Sequence, residues 1–465
     1  MLSLAGIFLS GTRSALVGLV AGAIFALFHL LINRESSRRI KKISLGLLVV
    51  LAVFGSIFWF SRSADIWQKV PGLNRLADIS LSDQTVQTRL ISLGIAKDAV
   101  VKKPLLGFGQ DNYNVAFYSN FNPEYLQYEE TWFDRAHNKL ADVAVMNGLL
   151  GLLAYLGIFA AAFLTIRRMK GENYTPVILG ALFTAYFIGN LFTFDQINSY
   201  ILFFSILAFI AYISDLSQAP LSNGTFDSKS VKAAIAILIG LAIFSLIKWN
   251  FIPYKQMKTF VSAIESGNAE TIYKKSDSLL FPYTLIQNTI RYSLLEALSG
   301  NNLLTDKRTA DLSNKAVKAY EEVAFRHHYD LQARLNLIQF YNSMAPFGDN
   351  EKLAKIQEIS GELVILAPRH PVPYYLLATV LAKEGKREQA LATIDKAVEL
   401  NPELGKAYYY KGIVLSMLAD KAEARKNILK ALELGMREIS ETDRNNIIQI
   451  IGESDFEKYI NKANI

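Results

Sequence analysis

The stretch VAVMNGLLGLLAYLGIFAAAFLTI, residues 143–166, runs for 24 residues without a charged side chain. A helix of about 20 apolar residues crosses the hydrocarbon core of a bilayer, so this stretch predicts a membrane span. Five further apolar runs lie at 14–33, 43–60, 175–194, 197–214 and 233–247. The last is short, but Lys232 and Lys248 can snorkel and Trp249 can anchor at the interface. Six runs predict a polytopic all-helical membrane bundle rather than the buried helices of a soluble protein.

The composition supports this class. The 465 residues are 51% hydrophobic, and the mean hydropathy of +0.20 is too high for an ordinary soluble protein. The sequence has no cysteine, which excludes a disulfide framework, a cysteine-based zinc site and a cysteine nucleophile. Five histidines leave little room for a histidine-rich metal site, so we predict neither a metal nor another cofactor.

The distribution of lysine and arginine predicts the orientation. The loop 34–42 carries five Lys or Arg residues and the loop 167–174 carries three, whereas the turn at 195–196 carries none. The positive-inside rule places the first two loops in the cytoplasm. Arg13, the long segment 61–142 and everything after the last span are then extracytoplasmic.

The predicted domains follow from these assignments. They are 1–60, a partial helix and two spans; 61–142, an extracytoplasmic loop with the candidate active site; 143–214, three spans; 215–230, a cytoplasmic linker; 231–249, the last span; and 250–465, a helical repeat domain. Residues 1–9 are apolar but too short to span, and they lack the basic start of a signal peptide. We expect them to be the outer end of a longer helix, and the chain to be the C-terminal portion of a longer membrane protein.

A 34-residue period marks the end of the repeat domain. Tyr374, Ala378, Leu381, Gly385, Ala390, Ile394, Ala397 and Pro402 recur as Tyr408, Gly412, Leu415, Ala419, Ala424, Ile428, Ala431 and Met436. This spacing is typical of tetratricopeptide helix pairs and predicts units at about 371–404 and 405–438. Such arrays need three or more units for a continuous core, so we expect degenerate pairs upstream, including one that ends near Pro368.

The outer loop contains the residues that could carry chemistry. Pro104, Gly107 and Gly109 predict a turn in which the backbone approaches another group closely. They do not form a dinucleotide-binding loop, which needs a third glycine between a strand and a helix.

His137, followed by Asn138, lies just before the membrane re-entry, where an imidazole can transfer protons near neutral pH. Downstream, Gly148, Gly151 and the small Ala144 would let another helix pack closely on this one. The alternative is a surface histidine that caps a helix packed through its glycines.

Arg13 and Arg89 lie on the same predicted face as His137. A guanidinium binds phosphate oxygens as a bidentate fork, although an interfacial arginine is often only a headgroup anchor. Two arginines and a histidine together fit an acid–base site for a diphosphate-bearing lipid. Asp195 at the outer turn is a weaker polar candidate.

Four features resemble the O-antigen ligase and O-antigen polymerase family of membrane proteins. They are the SGTR step at 10–13 that opens a span, Arg89 followed by the turn at 104–109, His137-Asn138 with Gly148 and Gly151, and the stretch NLFTFD at 190–195. The third is the most specific. The resemblance covers residues 1–214, and a C-terminal tetratricopeptide array is similar to that of some multi-domain members.

The resemblance implies a glycosyltransferase of the GT-C type that works outside the cytoplasmic membrane without a nucleotide sugar. It would move a glycan from a polyprenyl diphosphate carrier to a glycan, lipid or protein acceptor. His137 would be the general base or its orienter, and Arg13 and Arg89 would hold the leaving diphosphate. Family members usually have more spans ahead of the Arg13 step, so we expect a shortened chain.

Two other readings compete with this one. A transporter of bicarbonate or lipid needs charged groups inside the spans, where only His29 qualifies. A membrane-anchored scaffold would use the repeat domain to bind a protein partner and would not need the His-Asn and glycine pattern. Neither the composition nor the motifs indicate a nucleic-acid partner.

Overall fold

The protein is described by a computed structural model that covers Gly6 and residues 12–70, 72–77, 80, 82–130, 133–169, 174–216, 228–265, 317–318, 320–322, 324–325, 329–344, 350–436 and 440–463. This part of the chain forms helices and turns and contains no strand. It divides into two compact units, Met1–Ser222 and Asn223–Ile465. The expected partial helix at 1–9 (apart from Gly6), most of the linker and the stretch 266–316 lie outside the described residues.

The described residues of the first unit form the following nine α-helices. They are α1 (Arg13–Ile32), α2 (Arg38–Ser61), α3 (Asp65–Gln68), α4 (Leu73–Ala77), α5 (Gln84–Lys102), α6 (Tyr113–Ser119), α7 (Lys139–Arg168), α8 (Thr175–Asn190) and α9 (Ile197–Leu216). A 3-10 turn at Pro123–Gln127 lies in the segment 61–142. These are the helices of the described residues of this unit.

Among the described residues, four helices are long and apolar enough to cross a membrane: α1, α2, α7 and Ile197–Ser214 of α9. The predicted span at 175–194 is wrong in extent, because α8 ends at Asn190 and has 16 residues. The apolar residues that follow leave the helix, since the carbonyl of Leu191 accepts a hydrogen bond from the Asn138 side chain instead. The predicted sixth span, 233–247, is also longer than the apolar helix that the structure shows there, which covers Ala236–Leu246.

The helices α1 and α8 pack at very short range. A Cβ on Gly18 would lie 2.5 Å from the carbonyl oxygen of Ala185, and one on Gly22 would lie 2.7 Å from that of Ala181. Small residues permit this approach between membrane helices. The contact holds the N-terminus of α1, and therefore Arg13, near the end of α8.

A hydrophobic core joins α7, α8 and α9. It consists of the buried side chains Phe159, Ala162, Ile166, Leu179, Phe183, Phe203 and Ile210. The ring centroids of Phe159 and Phe183 are 5.8 Å apart at an interplanar angle of 72°, an edge-to-face arrangement that aromatic pairs favour. This core brings the start of α7 and the α8–α9 turn to the same end of the unit.

The second unit contains α10 (Ser228–Leu246), a π-helical turn (Ile247–Phe251), α11 (Ile252–Glu265), α12 (Leu331–Met344), α13 (Asn350–Leu366), α14 (Pro371–Lys383), α15 (Arg387–Leu400), α16 (Gly405–Met417), α17 (Lys421–Glu433), α18 (Glu441–Ile451) and α19 (Glu453–Ala463). The helices α16 and α17 begin 34 residues after α14 and α15. The predicted small positions lie in the core: Ala378, Ala390 and Ala424 are buried. A Cβ on Gly412 would lie 2.7 Å from Ile428.

Candidate functional site

The helix α7 is interrupted at Gly148, which has φ 67° and ψ −172°. The interruption frees backbone groups that an unbroken helix would pair internally. The carbonyls of Val145 and Met146 accept hydrogen bonds from Phe108 and Gly109 at 2.9 and 2.8 Å. In return, the N–H of Leu149 donates to the carbonyl of Pro104 at 2.7 Å.

The turn that contains Gly107 and the helix break at Gly148 therefore contact each other directly through their backbones. A Cβ on Gly148 would lie 2.1 Å from the Leu105 carbonyl oxygen, and one on Gly107 would lie 2.4 Å from that of Val145. The predicted close approach of the Pro104 turn is observed, and its partner is α7 itself. The expectation that Gly148 lets another helix pack on α7 is wrong, because this residue breaks the helix. The three atoms nearest to a Cβ on Gly151 would belong to side chains of α7 itself.

Replacing Gly148 with alanine should destabilise the first unit by about 2 kcal/mol or more, because a positive φ is strained for alanine and its Cβ has no space. Thermal unfolding in detergent would measure the loss. Gly157→Ala is the matched control on the same helix, since a Cβ there meets nothing within 4 Å. Equal melting temperatures for the two variants would contradict the packing argument.

His137 lies in the turn before α7, in the left-handed region at φ 55°. Its ring lies between Phe133 and Phe194, with centroids 4.6 and 5.3 Å away, and is half-buried. Its Nδ1 lies 3.3 Å from the carbonyl oxygen of Arg135. A carbonyl can only accept, so Nδ1 carries the proton in this contact, and the neutral ring keeps a free lone pair on Nε2.

Two neighbouring side chains fix this turn. Asn138 caps α7 by accepting the Ala141 N–H at 3.0 Å, and its amide donates to the Leu191 carbonyl at 2.9 Å. The buried carboxylate of Asp142 accepts the N–H of Ala136 at 2.5 Å. Asn138 was predicted as a supporting residue. In the structure its side chain links the His137 turn to the end of α8.

Arg89 is supplied by α5, whose buried face includes Ser92, Ile95 and Ala99 and packs against α7. The hydroxyl of Ser92 lies 2.8 Å from that of Tyr113, a buried hydrogen bond that joins α5 to α6. These contacts position the helix, and Arg89 is an exposed residue at the edge of its packed face, two turns before the buried Ala96.

Arg89 lies within electrostatic reach of both Arg13 and His137, and we call these three residues the Arg–His cluster. Partial burial and the charge of Arg13 lower the pKa of Arg89. Burial and the charge of Arg89 lower the pKa of His137 below its usual value. None of the carboxylates among the described residues forms an ion pair with Arg13 or Arg89. Within the described part of the chain, the two guanidinium groups therefore have no ion-pair partner and lie beside a histidine whose pKa is lowered.

Asp195 does not face this cluster as a free polar group. Its carboxylate is buried and lies 3.0 Å from Nζ of Lys139, which also donates to the Tyr200 hydroxyl at 2.7 Å. Tyr186 and Asn190 donate to the same carboxylate. The network borders a cavity of about 270 Å³ along α7.

Sequence reasoning missed Lys139. The available signal was a lysine at the first position of an apolar span, opposite an aspartate in a neighbouring turn at the same membrane face. A buried carboxylate needs a partner, so the two charges could have been paired on that ground.

Arg13, Arg89 and His137 all belong to the first third of the chain. Residues 1–156 match the O-antigen ligase family. A search among curated proteins gave no match. The matched region contains Arg13, Arg89 and His137 and ends within α7, so α8, α9 and the second unit lie beyond it. At the level of the family, the match supports ligase- or polymerase-type glycosyltransferase activity in O-antigen assembly, with a lipid-linked glycan and an acceptor as partners.

Proposed function

We propose that the Arg–His cluster is the active site of a glycosyltransferase that moves a glycan from a polyprenyl diphosphate carrier to an acceptor hydroxyl at the outer face of the cytoplasmic membrane. The observation that carries the proposal is the pair of arginines without a carboxylate partner among the described residues, next to a histidine with a lowered pKa. Such a pair suits a diphosphate, which guanidinium groups bind through paired hydrogen bonds.

The proposed reaction needs one proton transfer and one displacement. Nε2 of His137 accepts the proton of the acceptor hydroxyl as its oxygen bonds to the anomeric carbon of the glycan. The bond from that carbon to the diphosphate oxygen breaks, and its electron pair leaves with the diphosphate. Arg13 and Arg89 stabilise the negative charge that develops on the leaving group.

The lowered pKa of His137 serves this role. A general base must be unprotonated at the working pH, and the neutral imidazole dominates above its pKa. Burial and Arg89 both disfavour the imidazolium, so they keep the base available at neutral pH. In this proposal the guanidinium groups supply the charge stabilisation, and the protein is a metal-independent enzyme of the GT-C type.

The direct test uses the full chain reconstituted in vesicles with a polyprenyl diphosphate-linked radiolabelled glycan and a mixture of glycan, lipid and protein acceptors. We expect label to move from the carrier to an acceptor, with equal rates in the presence and absence of EDTA. A nucleotide sugar in place of the carrier should give no product. Absence of transfer from the lipid carrier would contradict the proposed function, and inhibition by EDTA would contradict the metal-free mechanism.

We further propose that the 34-residue helix pairs, at 371–404 and 405–438, are tetratricopeptide units on the extracytoplasmic side. The equal spacing of α14 and α16 and the buried small residues between paired helices support this assignment. Stacked pairs of this kind present an extended surface, which would bind a protein partner of envelope assembly.

A further inference from the structure

The helix α5 exposes three large apolar side chains opposite its packed face, on the side that also carries Lys97. Leu90, Leu93 and Val101 lie within about 80° of one another around the helix, at about 100° per residue. All three are exposed, Val101 by 72%. The same side continues into the turn after the helix, where Leu105 and Leu106 are 64% and 75% exposed. A segment in water would not expose so many large apolar side chains together.

The position of this turn along α7 indicates what covers it. Arg167 and Arg168 mark the cytoplasmic end of the span, and about 20 residues counted back from Ile166 reach Asn147. The carbonyls and N–H groups that pair with the turn belong to Val145, Met146, Leu149 and Leu150. The turn therefore meets α7 at the outer boundary of the hydrocarbon core.

The exposed surface of the turn is continuous with the lipid-facing side of α7. Leu150 and Leu153 are 54% and 66% exposed, and the N–H of Leu150 reaches the Leu105 carbonyl at 3.4 Å. Irregular backbone is tolerated at this depth only when its polar groups are paired within the protein. The hydrogen bonds between the turn and the broken helix supply that pairing.

We propose that Val101, Leu105 and Leu106 form a tip that inserts into the outer leaflet of the membrane, among the acyl chains next to the headgroups. Lys97 and Lys103 are exposed beside the tip and reach the headgroups, where a lysine ammonium attracts anionic phosphate. The segment 61–142 is then partly embedded in the outer interface. The inference does not depend on the proposed glycosyl transfer.

The absence of native cysteine allows a clean test, because a single introduced cysteine is the only labelling site. Leu106→Cys and Val101→Cys would each be labelled with an environment-sensitive fluorophore in the full chain, then reconstituted in vesicles of phosphatidylethanolamine and phosphatidylglycerol. We expect blue-shifted emission and strong quenching by lipids that carry a nitroxide near the headgroup. Nitroxides deep in the chain should quench less.

Two control positions calibrate the measurement. Glu124→Cys, exposed on the 3-10 turn of the same outer segment, should give water-like emission. Leu153→Cys, on the exposed side of α7, should be quenched by lipid. The inference fails if label at Leu106 and Val101 behaves like label at Glu124, or if it is blue-shifted without lipid quenching, since the tip would then be covered by protein. All four cysteine substitutions replace exposed side chains, and circular dichroism checks that each variant folds.

Discussion

Replacing His137 with alanine is expected to lower the rate of glycan transfer by roughly 10²–10⁴-fold, the usual contribution of a general base. The variant should still insert into the membrane, because His137 lies in the turn before α7 and in no span. His137→Asn should lose as much activity. Asparagine tolerates the left-handed backbone of this position but cannot accept the proton. Transfer from the radiolabelled carrier measures both variants.

The matched control is His29→Asn, which changes the histidine near the other end of α1. It should transfer at the normal rate. The pH profile of the native protein adds a second readout, since activity should persist below the usual histidine pKa and fall only as the pH drops through the lowered value. Normal transfer by His137→Asn would remove the base assignment, and an acid limb at or above the ordinary pKa would contradict the argument from burial and charge.

Arg89→Lys is expected to lower the rate by roughly 10²-fold, the order found when one charge-stabilising donor is removed from an active site. Lysine keeps the charge but cannot form the planar fork that holds two diphosphate oxygens. Steady-state transfer rates at saturating carrier measure the effect. Arg75→Lys is the control, an exposed arginine on α4 of the same outer segment. Equal rates for the two variants would argue against a diphosphate contact at Arg89.

The charge of Arg89 has a separate, measurable consequence. Arg89→Gln removes a positive charge that disfavours the imidazolium of His137, so the pKa of His137 should rise. The acid limb of the residual activity should move to higher pH in Arg89→Gln and stay in place in Arg89→Lys. An unchanged limb in both variants would mean that the two residues are not coupled.

The membrane character of the chain could be predicted from local sequence. Length and hydropathy are properties of each segment alone, and α1, α2, α7 and α9 agree with the predicted runs. The end of α8 could not be predicted in this way. Residues 191–194 are as apolar as the helix before them, but the side-chain amide of Asn138, which is 53 residues away from Leu191 in sequence, donates a hydrogen bond to the Leu191 carbonyl.

The candidate site was partly predictable. The charge distribution of the loops predicted Arg13, Arg89 and His137 at one membrane face, and in the structure Arg89 lies within electrostatic reach of the other two residues. Gly148 was assigned the wrong structural effect, because a glycine that permits helix packing and a glycine that breaks a helix look alike in sequence. Only the position of the Pro104 turn distinguishes the two.

The sequence by itself determined that this membrane protein has several helices apolar enough to cross a bilayer, which of its loops carry positive charge, and where a 34-residue period begins. These features depend on neighbouring residues or on regular spacing along the chain. The tertiary structure decided that Gly148 and Gly107 share one contact, that Lys139 neutralises Asp195, and that Arg13 and Arg89 are left without a carboxylate partner among the described residues. Each of these depends on distances between segments far apart in sequence, which packing sets and local pattern does not encode.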